Sequence, residues 1–121
     1  MKIAIPSNEK NLESLVNNQF GRSQYFIIFD TESSTYEAID NSAISIQGGA
    51  GIKAAQSIVD SGAKALITSY CGQNAADVLN ASGVKIMKAV PTTVMNLITF
   101  FEDNQLEELT EIHDGHFYEG K

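Results

Sequence analysis

Two stretches of this chain, Ser61-Gly62-Ala63-Lys64 and Ser82-Gly83-Val84-Lys85, repeat one another at a spacing of 21 residues. Each follows a run with helical spacing and precedes a short apolar run. Ile52, Ala55 and Val59 fall on one face of a helix over Gly51 to Ser61, and Ala75, Val78 and Leu79 do the same over Asn74 to Ser82. Gly62 and Gly83 then stand where a helix takes a left-handed residue to stop. Ala65 to Thr68 and Val84 to Met87 read as the strands that follow. Two helix–Gly–strand units in tandem require parallel neighbouring strands joined by right-handed crossovers, which excludes all-helical and all-antiparallel folds.

The first forty residues supply the rest of the sheet. Lys2 to Pro6 has the alternation of a strand, with Pro6 as its stop. Residues 7–23 carry only Leu12, Leu15 and Val16 as early apolar anchors and read as a long loop or short helix. Tyr25 to Phe29 is a buried-strand run, Thr31-Glu32-Ser33-Ser34 is turn chemistry, and Tyr36 to Ile39 completes a hairpin. Ser42 to Gln47 is a connector. A third helix starts at Thr92 or Thr93 and places Val94, Leu97, Ile98 and Phe101 at i, i+3, i+4 and i+7. The order β-β-β-α-β-α-β-α predicts an α/β, three-layer, ribonuclease-H-like fold. It has a five-stranded mixed sheet with one antiparallel strand and helices on both faces.

With 43% hydrophobic and 19% charged residues, the 121-residue chain is apolar enough to fold and far too polar to span a bilayer. The opening Met1-Lys2-Ile3-Ala4-Ile5-Pro6 reaches proline after three apolar residues, so no signal-peptide core is expected there. One cysteine, Cys71, excludes an internal disulfide and suggests a reducing, cytoplasmic setting. The net charge of −7 is uneven: residues 102–121 carry seven acids and one base, leaving the other residues at −1. We therefore expect one domain over residues 1–111, an acidic C-terminal tail over 112–121, and no basic stripe for nucleic acid.

Three places could carry chemistry. Gly48-Gly49-Ala50-Gly51 opens the first helix, where exposed N–H groups and the helix dipole favour an anion; the alternative is a turn that lets the helix pack closely. The string also fits G-x-G-x-x-A, but it lacks a clear strand before it, and position 71, about where the acid belongs, is cysteine. Ser69-Tyr70-Cys71-Gly72-Gln73-Asn74 joins a strand end to a helix start, the usual ligand position in open α/β sheets. There a dipole-stabilised Cys71 thiolate could bind a soft metal, against the commoner fate of a small buried residue. His113-Asp114-Gly115-His116 could offer two imidazoles and a carboxylate, but its tail position favours an ordinary polar end. No predicted central strand over Lys2–Pro6, Ala65–Thr68 or Val84–Met87 holds a carboxylate, so two-metal phosphoryl chemistry is not expected, nor any other catalysis.

Taken together, Gln19-Phe20-Gly21-Arg22-Ser23 with Tyr25-Phe26-Ile27-Ile28-Phe29-Asp30, Gly49-Ala50-Gly51-Ile52-Lys53-Ala54-Ala55-Gln56, and Gly72-Gln73-Asn74-Ala75 resemble the dinitrogenase iron–molybdenum cofactor-binding family from Met1 to about Leu109. That resemblance implies a non-catalytic binder or carrier of an iron–sulfur-type cluster, the iron–molybdenum cofactor or a precursor, as a nitrogenase accessory. Cofactor-assembly proteins would be its partners. With these motifs cofactor contact is expected at Gln19, Phe20, Gly21, Arg22, Gly49, Gly51, Gly72, Gln73 and Asn74, and Cys71, from its own place at the helix start, would be the metal ligand. Many members carry histidine where this chain has Gln19. The competing expectation is a metal-free module that senses a small anionic metabolite or meets a partner. The tail reading has its own test. Deleting residues 112–121 should leave cooperative urea unfolding intact, because only Ile112, Phe117 and Tyr118 there offer sizeable apolar surface; loss of the transition would make the tail a docked element.

Overall fold

In a computed structural model describing residues 1–43 and 48–110, the alternation of the first strand is used on both sides. β1 (Lys2–Ser7) sends Ile3 and Ile5 to one face of the sheet and Ala4 to the other. β2 (Tyr25–Asp30) divides likewise, with Phe26 and Ile28 opposite Ile27 and Phe29. β3 (Thr35–Asp40) closes the hairpin as an edge strand with mostly exposed side chains. β4 (Ala63–Thr68) again splits, Leu66 against Ala65 and Ile67, and β5 (Lys85–Lys88) is the other edge. Strands buried on both faces read as continuous apolar runs, which is how Tyr25 to Phe29 was recognisable.

The sheet order is β3-β2-β1-β4-β5. β1 pairs antiparallel with β2 and parallel with β4; β2–β3 is antiparallel and β4–β5 parallel, so β2 alone runs against the other four. This is the predicted fold. The strand order reverses at β1. α1 (Ala50–Asp60) and α2 (Gln73–Ala81) cover one face through Ala54, Ala55, Ile58, Ala75, Ala76 and Leu79. α3 (Val94–Glu102) covers the other through Val94, Leu97 and Ile98. Thr93 is its N-cap, with the hydroxyl accepting from the Asn96 N–H at 3.2 Å.

Two local expectations are revised, at the end of β1 and on the face of α1, and two further segments take a definite form. β1 continues through Pro6 to Ser7, because its pairing with β4 runs only from Lys2 to Ala4 and the proline lies past it. Residues 8–17 are a loop and not a helix; they are laced to the start of α3 by Val16 N–H to Thr92 O (3.0 Å) and Val94 N–H to Ser14 O (2.9 Å). Ile52 is not on the buried face of α1. Ala50, Ala54, Ala55 and Ile58 are, since small side chains let α1 lie close beside α2. Finally, residues 107–109 run beside β5, with Lys88 N–H to Glu107 O at 2.7 Å and Leu109 N–H to Ile86 O at 2.9 Å. They cover an edge that would otherwise be open. The acidic tail beyond residue 111, with His113, Asp114 and His116, lies outside the described residues.

The two stop glycines take the left-handed conformation, φ +86° at Gly62 and +77° at Gly83. A Cβ on Gly83 would meet nothing within 4 Å, so substitution there tests backbone strain alone. Gly83→Ala should cost about 1 kcal/mol in urea unfolding. An unchanged midpoint would show that the helix does not need its left-handed stop.

Candidate functional site

The topology delivers several loops to one end of the sheet. β1, β3 and β4 are mutually parallel, and their C-terminal ends share that edge with the N-terminal end of β2. The segment before β2, the start of α1 after β3, and the β4–α2 connection therefore meet beside β1, where the strand order reverses. That is the position at which open α/β sheets hold ligands. A cleft of about 690 Å³ opens there, lined by residues 18–22, 48–52, 70 and 72–75.

The nine residues expected to contact a cofactor all lie on this lining: Gln19, Phe20, Gly21 and Arg22 from the first segment, Gly49 and Gly51 from the second, Gly72, Gln73 and Asn74 from the third. Phe20 is buried and its ring packs tilted against Phe26 at 5.5 Å between centroids, which anchors the first segment to the core; Gln19, Arg22, Gln73 and Asn74 are exposed. Gly49 and Gly72 are the N-caps of α1 and α2, and neither helix has a side-chain cap. Helices of eleven and nine residues thus present the positive ends of their dipoles to one cleft, whereas α3 is capped by its own threonine. Gln73 Nε2 donates to Asp77 Oδ1 along α2 at 2.7 Å.

Glycine sets the closeness of the walls. A Cβ on Gly21 would sit 3.2 Å from both Cα and N of Gly51, so the first segment and α1 meet backbone to backbone. A Cβ on Gly51 would meet only the Ala75 methyl at 3.6 Å, an ordinary contact. The sterically critical glycine is Gly21.

The expectation for Cys71 is corrected. The cysteine is fully buried among Ala4, Phe20, Ala75 and Leu79, and it does not line the cleft. Its Sγ–H points to Gly72 O at 3.6 Å. Burial pushes the thiol up from its ordinary 9.0 to about 11 by desolvation. Proximity in sequence to a helix start did not translate into exposure. The described lining contains no carboxylate, imidazole or thiol, and among the described residues no three His, Cys, Asp or Glu side chains gather as a metal site.

Sequence reasoning missed Asn18, Ile52 and Tyr70 as lining residues. Ile52 and Tyr70 are 43% and 40% exposed and give the cleft an apolar rim. Their signal was present: Ile52 breaks the alanine face of α1, and Tyr70 precedes Cys71 at a strand end.

Such a cleft on such a sheet defines a class, the small α/β cofactor-binding proteins. The chain belongs to the dinitrogenase iron-molybdenum cofactor family, whose sequence profile matches residues 1–104. Its fold is similar to the apo form of the orange protein from Desulfovibrio gigas, with a TM-score of 0.87 and 33% identity, covering 90% of this chain and 92% of that one. A Thermotoga protein solved by NMR under a provisional NifB assignment is 41% identical, with a TM-score of 0.81, covering 99% and 98%. An uncharacterized protein of Methanocaldococcus jannaschii is 31% identical over 111 residues, 89% of this chain and 91% of its own. No helix among the described residues is long and apolar enough to cross a membrane.

The buried thiol has a measurable consequence. Between pH 9.0 and about 11 the folded chain keeps a proton that the unfolded chain releases. This component of stability is therefore complete below the unfolded value and lost as pH rises through the folded one. Urea stability of the parent should fall over that window more steeply than that of Cys71→Ala. Equal slopes would show a solvated thiol.

Proposed function

We propose that the cleft binds an anionic iron–sulfur-type cofactor, the iron–molybdenum cofactor or a precursor, and that the protein carries it in a cytoplasmic, nitrogenase-accessory role without turning over a substrate. The observation that carries the reading is the donor set. Two uncapped helix starts, one guanidinium and four side-chain amides line a cavity whose described lining has no anionic group. A bare cation would find dipoles of the wrong sign. An anion would find hydrogen-bond donors, and a sulfide-rich one would also find Phe20, Ile52 and Tyr70 for its weakly hydrated faces. When bound, such a cofactor supplies redox and metal chemistry, while the chain supplies orientation and charge.

Each wall has a part. Arg22 provides the lining's one formal positive charge, and Gly49, Gly51 and Gly72 let backbone approach closely. Gln19, Gln73 and Asn74 add amide donors. Gln19 occupies the position at which many relatives carry histidine, and an amide holds an anion by hydrogen bonding where imidazole could ligate metal. The family of the chain and its likeness to the orange protein, whose name speaks of colour and whose solved form is apo, support a coloured ligand. Partners in cofactor assembly would follow from the same role.

Anaerobic titration with isolated iron–molybdenum cofactor, followed by visible absorbance after desalting, tests this. The parent should retain colour, Cys71→Ala should bind within about twofold of it, and Arg22→Ala should bind roughly ten- to a hundredfold more weakly, as expected for a lost charge-assisted hydrogen bond. If Cys71→Ala abolishes binding, the thiol is a ligand and the hydrogen-bonded reading is wrong. A parent that binds nothing hands the cleft to a small anionic metabolite.

A further inference from the structure

One cleft wall is tied to the end of β3 by a side chain that does not itself line the cleft. Asn41 follows β3 and is 3% exposed. Its Nδ2 donates to the carbonyls of Gly21 at 3.0 Å and Ser23 at 2.9 Å, and its Oδ1 accepts from the Ala43 N–H at 3.0 Å. Its own N–H donates to Gln24 O at 3.1 Å. Both donors and the acceptor of the amide are thus satisfied by backbone, and they reach two separate stretches of chain. One is the segment that carries Gln19 to Arg22. The other is the turn just past β3, at Ala43.

We infer that Asn41 is a positioning residue of the cleft, fixing the Gln19–Arg22 wall to the end of β3 at the place where Gly21 meets the start of α1, so that the binding groups stand in register. The inference rests on the cofactor reading for what is bound, but not for the clamp itself. The geometry has a second element, because Gly21 is also where the wall touches α1: its carbonyl is held by Asn41 while its Cα side lies against Gly51. Bond and contact act on the same residue from two directions, so the wall can neither lift nor slide without breaking one of them. The amide is the side chain suited to this task. A buried carbonyl pair needs a two-proton donor, and the adjoining N–H needs an acceptor on the same short side chain. Aspartate keeps the shape and the acceptor but replaces the donor with a carboxylate aimed at two carbonyl oxygens. Alanine removes both halves.

The test compares Asn41→Asp and Asn41→Ala with the parent in two measurements. The first needs no cofactor: native-state amide hydrogen exchange. The clamp predicts that Ser23 and Ala43 exchange at least about tenfold faster in Asn41→Ala. In Asn41→Asp the change should centre on Ser23, while amides of β1 and β4 keep their protection in both variants. The second measurement is titration with isolated iron–molybdenum cofactor, where both variants should bind about tenfold more weakly or worse with the spectrum of the bound form unchanged. Gly21→Ala, which wedges the same wall from α1 with Asn41 intact, should reproduce the weakened binding. Uniform loss of protection across β1 and β4, or loss of the unfolding transition, would make Asn41 a stability residue and overturn the inference. So would wild-type exchange at Ser23 and Ala43, whatever the affinity. If the parent binds no cofactor, the exchange pattern alone decides on the clamp, and the failure belongs to the cofactor reading.

Discussion

Everything at the cleft end of the molecule depends on β1 having an antiparallel neighbour on one side and a parallel neighbour on the other. An antiparallel β2 brings its N-terminal end to the edge where the parallel strands have their C-terminal ends. The segment before β2 and the connections into α1 and α2 are thereby forced into one place. A sheet of parallel strands alone would send the residue 18–22 segment to the opposite edge, and the cleft would lose the wall that carries its arginine. β1 can hold this position because Ile3 and Ile5 face one core and Ala4 the other, all fully buried. Each buried isoleucine contributes about 1.5–3 kcal/mol by the usual area argument, so register is strongly fixed; a one-residue slip would turn both isoleucines to the wrong side.

The site is made largely of backbone. Gly21 against Gly51, uncapped helix starts at Gly49 and Gly72, and the small Ala75 leave room for main chain where another site would place side chains. This explains why no single motif in the sequence was decisive. A helix start donates N–H groups whatever residues it carries, so its chemistry is visible only once the helix is placed. Glycine marks the place and amides decorate it.

What was legible follows the same division. The repeat at Gly62 and Gly83 exposed two crossovers, because a left-handed stop after a helix is a local matter and both glycines take positive φ. The hairpin and the start of α3 were local too. The face of α1 was misjudged at Ile52 because hydrophobicity ranks isoleucine above alanine, whereas close packing beside α2 selects the alanines and leaves Ile52 at the cleft rim. Cys71 was misjudged for a related reason. Its place in the strand–helix connection was right, but exposure is decided by the rotation of one side chain, and here that side chain enters the core among Ala4, Phe20 and Leu79. Asn41 gave no signal at all: an asparagine after a strand looks like any turn residue until the two carbonyls it holds are known, and these belong to residues twenty and eighteen positions earlier.

The charge distribution now reads differently from the bare total. The strongly acidic segment begins at α3, and its Glu107 and Glu108 run beside β5, a strand bounded by Lys85 and Lys88. β5 is the edge at the far side of β4 from β1, so Glu107 and Glu108 are attached to the sheet away from the strand-order reversal. Screening over about 8–10 Å at physiological salt would blunt its effect on a ligand beyond that range. An acidic protein can therefore keep a cleft suited to an anion. A cofactor held there by dipoles, amides and one guanidinium would be bound without a metal–protein bond, so its release would require only hydrogen bonds to exchange with water or with another protein's donors. That is a physical property a carrier needs and a permanent prosthetic site does not.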